Sequence, residues 1–127
     1  MLNYLMLLIV ITIPTSLSAQ YLGDQVLKHE GRTDIGRVYT QIKRNSARPP
    51  HNPLILARAI TKAARRNGLD PELLSAIIAV ESGYFVGAIN SKTNDYGLGQ
   101  INEYNIRVNG WSKQRILTDI EYSAEKS

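Results

Sequence analysis

Glu81 is the residue of this chain best placed to move a proton. Leu73, Leu74, Ile77 and Ile78 recur at helical spacing, and four positions beyond Ile77 comes Glu81. An ionisable carboxyl thus continues an apolar stripe expected to face the core. Ser82 and Gly83 follow directly, which puts Glu81 in the last turn of its helix. Both circumstances disfavour the anion, because apolar surroundings and the negative end of a helix dipole each raise a carboxyl pKa. A carboxyl that stays protonated near neutral pH suits proton donation to a leaving oxygen. The other reading is a boundary glutamate that reaches water or pairs with an arginine, and spacing alone leaves both open.

The elements that must position Glu81 are legible around it. Asp70 can cap a helix whose first position is Pro71, where a missing N–H is harmless, so a helix is expected over Pro71 to Ser82. Upstream, Leu54 to Asn67 reads as a helix with Leu56, Ile60 and Ala63 or Ala64 inward and Gly68 as its stop. The two helices are expected to pack together and carry Glu81 at their edge. Arg58, Lys62 and Arg66 recur every four residues, with Arg65 beside them; they form either a solvated face or a grip on an acidic polymer. Nucleic acid would use the same face, but the Tyr and Trp residues available for stacking are remote from it, and no nucleic-acid partner is expected. Between Gly83 and Gly99 runs a long polar, Gly-rich loop, of a length that is usually functional in a small domain. Tyr84, Phe85 and Tyr96 offer flat faces on which sugars stack, with core packing the stronger expectation for Phe85. Gly97 and Gly99 permit positive φ or close approach, and Leu98 is expected inside. A further helix is expected over Ile101 to Asn109, with Trp111 at its exit and Asp119 as cap of a last helix.

Composition narrows the chemistry. The chain of 127 residues allows one small domain, its apolar content is that of a globular protein, and it contains no cysteine. Disulfide scaffolds and cysteine nucleophiles are therefore excluded. His29 and His51 lie far apart without cysteine partners, so no metal site is expected, and no phosphate-cradling Gly-rich loop or Ser-His-Asp arrangement calls for a cofactor. The net charge of +4 favours anionic partners. Residues 1–19 carry no charged side chain, and the apolar run from Tyr4 to Ile13 is too short to span a bilayer before Pro14 ends it. With small residues at Thr15 to Ala19, this reads as a secretory signal peptide, an uncleaved anchor or buried first helix being the alternative. Residues 20–53 read as one or two short amphipathic helices broken at Gly31 and Gly36, then a proline-rich linker.

Three stretches then act together: Glu81-Ser82-Gly83, Asn90-Ser91 and Tyr96-Gly97-Leu98-Gly99-Gln100-Ile101-Asn102. In this order and spacing they resemble the lytic transglycosylases of the lysozyme-like superfamily, with their Glu-Ser and Gly-Leu-x-Gln motifs. The wording is similar to that of the small specialised members used by phage particles, conjugation systems and secretion systems. The resemblance runs from about Leu54 to Ser123 and implies an all-α, lysozyme-like domain over residues 54–127. It implies Glu81 as the catalytic acid and base, Ser82 and Gln100 as polar residues near the scissile sugar, Tyr96 as a substrate-binding residue, and no metal or cofactor. The implied substrate is the peptidoglycan glycan strand, met in the periplasm or cell wall, with a phage, conjugation or secretion assembly as possible company. The implied reaction forms 1,6-anhydro ends without water; a hydrolysing muramidase and a non-catalytic wall-binding component are the alternatives. Asp95, Glu103 and Asp119 are the other carboxylates to weigh in a two-carboxylate scheme. The family pattern closes with Asn-Ile-x-x-Gly and a late tyrosine. Here Ser123 and Ala124 stand in place of Asn-Ile and the late tyrosine is absent, so a domain shortened at its C-terminus is expected.

Overall fold

The computed structural model describes residues 33–46 and 52–127. Helix α1 is Asp34–Asn45, α2 is Pro53–Arg66 and α3 is Pro71–Ser82. Each begins where local chemistry supplies an acceptor for the unpaired first N–H groups. Thr33 accepts from Gly36, Asn52 accepts from Leu54 and Ile55 at 3.1 Å each, and Asp70 accepts from Leu73 at 2.8 Å. Pro53 and Pro71 occupy the first position of their helices. The stop at Gly68 is a left-handed residue with φ +67, after which the Leu69 N–H returns to the Ala64 carbonyl.

These helices share one core. Val38 and Ile42 of α1, Leu56 and Ile60 of α2, and Leu74 and Ile78 of α3 are buried together, and Tyr84, Leu98 and Ala124 close it from the far side. Ion pairs lace its edge. Asp34 accepts from Arg65, whose guanidinium holds that carboxyl below the usual range, and Arg37 binds Glu72. Gly36, expected to break the first helix, lies buried inside it, because burial of Val38 and Ile42 outweighs the modest penalty of one helical glycine.

The loop after α3 holds a small antiparallel sheet that an all-helical expectation did not include. Strand β1 is Ile89–Asn90, β2 is Asp95–Tyr96 and β3 is Ile101–Asn102, with Ile89 opposite Tyr96 and Tyr96 opposite Ile101. Helix dominance nevertheless holds, as α4 (Glu103–Val108), α5 (Lys113–Thr118) and α6 (Ile120–Lys126) complete the described fold. Tyr96, Ile101, Ile106 and Ile116 form a second core beneath the sheet. Asp119 caps α6 as expected, accepting from the Tyr122 N–H at 3.0 Å.

Two sequence expectations, one about α3 and one about α2, need correction. Its buried residues are Pro71, Leu74, Ser75 and Ile78, whereas Leu73 and Ile77 are 55% and 45% exposed and Glu81 is exposed with them. The helix is apolar on nearly every side, so helical spacing joins Glu81 to an apolar stripe correctly but cannot say which stripe faces inward. The expected basic face on α2 is partly neutralised: Lys62 pairs with Glu121 at 2.9 Å, Arg66 with Glu125 at 3.8 Å and Arg65 with Asp34. The signal-peptide reading, both histidines and most of the linker lie outside the described residues. Among the described residues, no helix is long and apolar enough to cross a membrane.

Candidate functional site

Helix α3 ends at Ser82, with Gly83 in the left-handed region at φ +58 and its N–H bonded to the Ala79 carbonyl. Glu81 therefore occupies the last turn, as the spacing predicts. Its carboxyl is open to water, so the apolar surroundings expected for it are not provided by the protein's own core. The Ser82 hydroxyl donates to the Ile78 carbonyl at 3.1 Å, turning that side chain back along the helix. Tyr84 also has positive φ, +67, an uncommon conformation for a residue with a side chain. It is held there by burial and by a 3.0 Å hydrogen bond between its hydroxyl and Ser75. Burial pushes the Tyr84 phenol up from its ordinary pKa. Tyr84 is thus a core residue and not a sugar platform. Phe85, expected in the core, is 49% exposed beside the end of α3.

A relay of hydrogen bonds then leads to the Gly-Leu-Gly-Gln turn. The Phe85 N–H donates to the Ser82 carbonyl, Ala88 N–H to Phe85, and Gly97 N–H to Ala88 at 2.9 Å. Gln100 closes the turn at φ +48, its N–H on the Gly97 carbonyl at 3.3 Å. Its Nε2 donates to the Gly97 carbonyl at 3.0 Å and the Ala88 carbonyl at 3.4 Å. With the amide nitrogen facing two carbonyls, the Gln100 Oε1 is the acceptor left for a ligand. Tyr96 lies beneath, buried in the second core, with the Lys113 ammonium 4.0 Å from its ring centre. That face is closed to a stacked sugar.

Sequence reasoning gave no role to Asn102, whose Nδ2 donates to the Thr93 carbonyl and the Asp95 carboxylate at 2.9 Å each while its Oδ1 caps α4. The signal lay in the run Thr93-Asn94-Asp95, a hairpin turn whose Asn94 takes φ +59.

The carboxylates sort themselves by partner. Asp95 accepts from Thr93 and Asn102. Glu103 accepts from Lys113 at 2.7 Å, which holds it below the usual carboxylate range and raises Lys113. Asp119 is lowered by the Tyr122 N–H and then by Arg115, which sits 2.9 Å away. Asp34, Asp70, Glu72, Glu121 and Glu125 are likewise committed to arginine, lysine or a helix cap. Glu81 differs. No group among the described residues hydrogen-bonds or ion-pairs with its carboxylate. Among the described residues there is also no cluster of three or more His, Asp or Glu side chains that could hold a metal.

Comparison with curated proteins and with solved structures finds no match. The family profile described as the transglycosylase SLT domain matches residues 58–124, from within α2 to within α6, which is more than half of the chain. The matched span contains Glu81 and its apolar helix, the relay loop, the Gln100 turn and the helix that backs it. The chain belongs to the transglycosylase SLT domain family, lysozyme-like in fold and, in general terms, of a lytic-transglycosylase type that acts on the peptidoglycan of the cell wall.

Proposed function

We propose that this protein is a peptidoglycan lytic transglycosylase that cleaves the β-1,4 bond between N-acetylmuramic acid and N-acetylglucosamine, with Glu81 as its acid and base. The observation that carries the reading is the Glu81 carboxyl, without a partner among the described residues, in the last turn of an apolar helix that the Ser82–Phe85–Ala88–Gly97 backbone bonds tie to the turn bearing the Gln100 acceptor. Glu81 donates its proton to the glycosidic oxygen as that bond breaks. The substrate's own N-acetyl oxygen stabilises the anomeric carbon. The Glu81 carboxylate then takes the proton from the muramic 6-hydroxyl, whose oxygen attacks the same carbon and closes the anhydro ring. No water is consumed, and the proton on Glu81 is restored.

A single carboxylate is enough for this course, which agrees with the engagement of Asp95, Glu103 and Asp119 elsewhere. Since Glu81 is exposed in the free protein, the apolar surroundings that favour its protonated form come from the glycan strand that covers it. Ser82 and Gln100 supply polar contacts near the scissile sugar, and Tyr96 supports the Gly97–Gln100 turn from the second core. Residues 1–19 act as an export signal, residues 20–53 as a helix and linker, and residues 54–127 as the catalytic domain, working on the wall outside the cytoplasm.

Glu81→Gln keeps the shape and removes the proton. General acid–base catalysis is worth about 10²- to 10⁴-fold, so release of soluble anhydro-muropeptides from purified peptidoglycan should fall at least that far, with circular dichroism unchanged. A folded variant that releases them at the parental rate refutes the assignment. Products with free reducing ends identify a hydrolysing muramidase instead, and sedimentation with insoluble peptidoglycan without any release identifies a binding component.

A further inference from the structure

Ser123 lies on α6, fully buried, and its hydroxyl oxygen accepts the Leu98 N–H at 3.0 Å. The approach of α6 to the turn is close. A Cβ at Gly97 would stand 2.7 Å from the Ser123 Oγ and 2.5 Å from the Ile116 Cγ2, and one at Gly99 would stand 2.6 Å from the Ser127 Cβ. Ser127, the cap residue of α6, lies one helical turn beyond Ser123, so α6 and its cap meet the turn at two points, each a serine against a glycine.

The geometry matters because the Leu98 N–H and the Gly97 carbonyl belong to one planar peptide group. Ser123 holds the N–H end of that plane. The Gln100 backbone N–H and side-chain Nε2 both hold the carbonyl end, at 3.3 and 3.0 Å. The plane is therefore clamped between α6 and Gln100, and any rotation of it turns the Gln100 carboxamide. We propose that Ser123 is a positioning residue: through the Gly97–Leu98 peptide it sets the direction in which the Gln100 acceptor faces. The contribution to turnover rests on the reading in which Gln100 meets the glycan; the clamp itself does not.

The experiment uses the full chain and its Ser123→Ala and Ser123→Thr forms, the latter keeping the acceptor. Hydrogen exchange by NMR is followed at the Leu98 amide and the Gln100 side-chain amide, with the Ile60 and Ile78 amides of the helical core as internal reference. Ser123→Ala should speed exchange at Leu98 and Gln100 by about tenfold or more, since a buried N–H loses its partner, and leave the reference amides unchanged. On peptidoglycan, KM should rise about tenfold with little change in kcat, the signature of a lost binding contact, and Ser123→Thr should restore both measures. Parental exchange at Leu98 and Gln100 in folded Ser123→Ala overturns the clamp. Faster exchange with parental KM overturns the positioning role. A parent chain with no turnover refutes the proposed function instead, and the clamp is then decided by exchange alone.

Discussion

The Thr61 hydroxyl is buried in α2 with no hydrogen-bond partner among the described residues, on a side of the helix otherwise lined by Leu56, Ala57, Ile60 and Ala64. An orphaned buried hydroxyl is a net cost, and Thr61→Val removes it at nearly constant volume. The expected gain is about 1 kcal/mol, read as a higher urea midpoint at unchanged m-value. The same scale separates what the sequence reveals about Glu81 from what it hides. Residue type, spacing and the following Ser82 single it out, because those are local properties. Its freedom from partners is not local. It depends on lysines and arginines brought from elsewhere in the fold to Glu72, Glu103, Glu121 and Glu125 and, among the described residues, none to Glu81.

Among the elements, α3 shows where periodicity loses its power. Its ends are written in Asp70, Pro71 and Gly83, and the helix observed has the bounds those residues predict. Its orientation is another matter, for apolar residues lie on both the buried and the exposed sides. Substitution should distinguish them sharply. Ile78, fully buried, should cost about 2–5 kcal/mol on truncation to Ala. Val80, 85% exposed, should change stability by no more than about 0.5 kcal/mol on replacement by Gln. Chemical denaturation of the two variants checks both. The strands β1 to β3 were hidden for a different reason: two-residue strands carry no alternation to read, and their pairing is set by the Thr93-Asn94-Asp95 turn and by Asn102.

For the whole molecule, the decisive seam is the one between the three-helix core and the part of the chain that follows the sheet. Asp119 starts α6 and Glu103 starts α4, and both carboxyls are held below their ordinary range, by the Tyr122 N–H and by Lys113. A carboxyl depressed on folding stabilises the protein above its unfolded pKa and loses that contribution as pH falls through the folded value. Thermal melts should therefore be nearly level from neutral pH to about 5 and fall below about 4, and Asp119→Asn combined with Glu103→Gln should flatten the fall. The order of helices is plain from the sequence, but this seam is not, since it joins Lys62 to Glu121 and Leu98 to Ser123 across long separations. Trp111 belongs to the same side: it is the one tryptophan of the chain, packed on the second core, with the Lys126 ammonium 5.0 Å above its ring. The single tryptophan thus stands beside the last helix, and the first three helices contain none. Tryptophan emission, excited beyond the tyrosine absorption, will follow the second core and the release of α6 from it, while far-ultraviolet dichroism follows the helices as a whole, and any gap between the two melting curves measures how independently this side of the molecule comes loose.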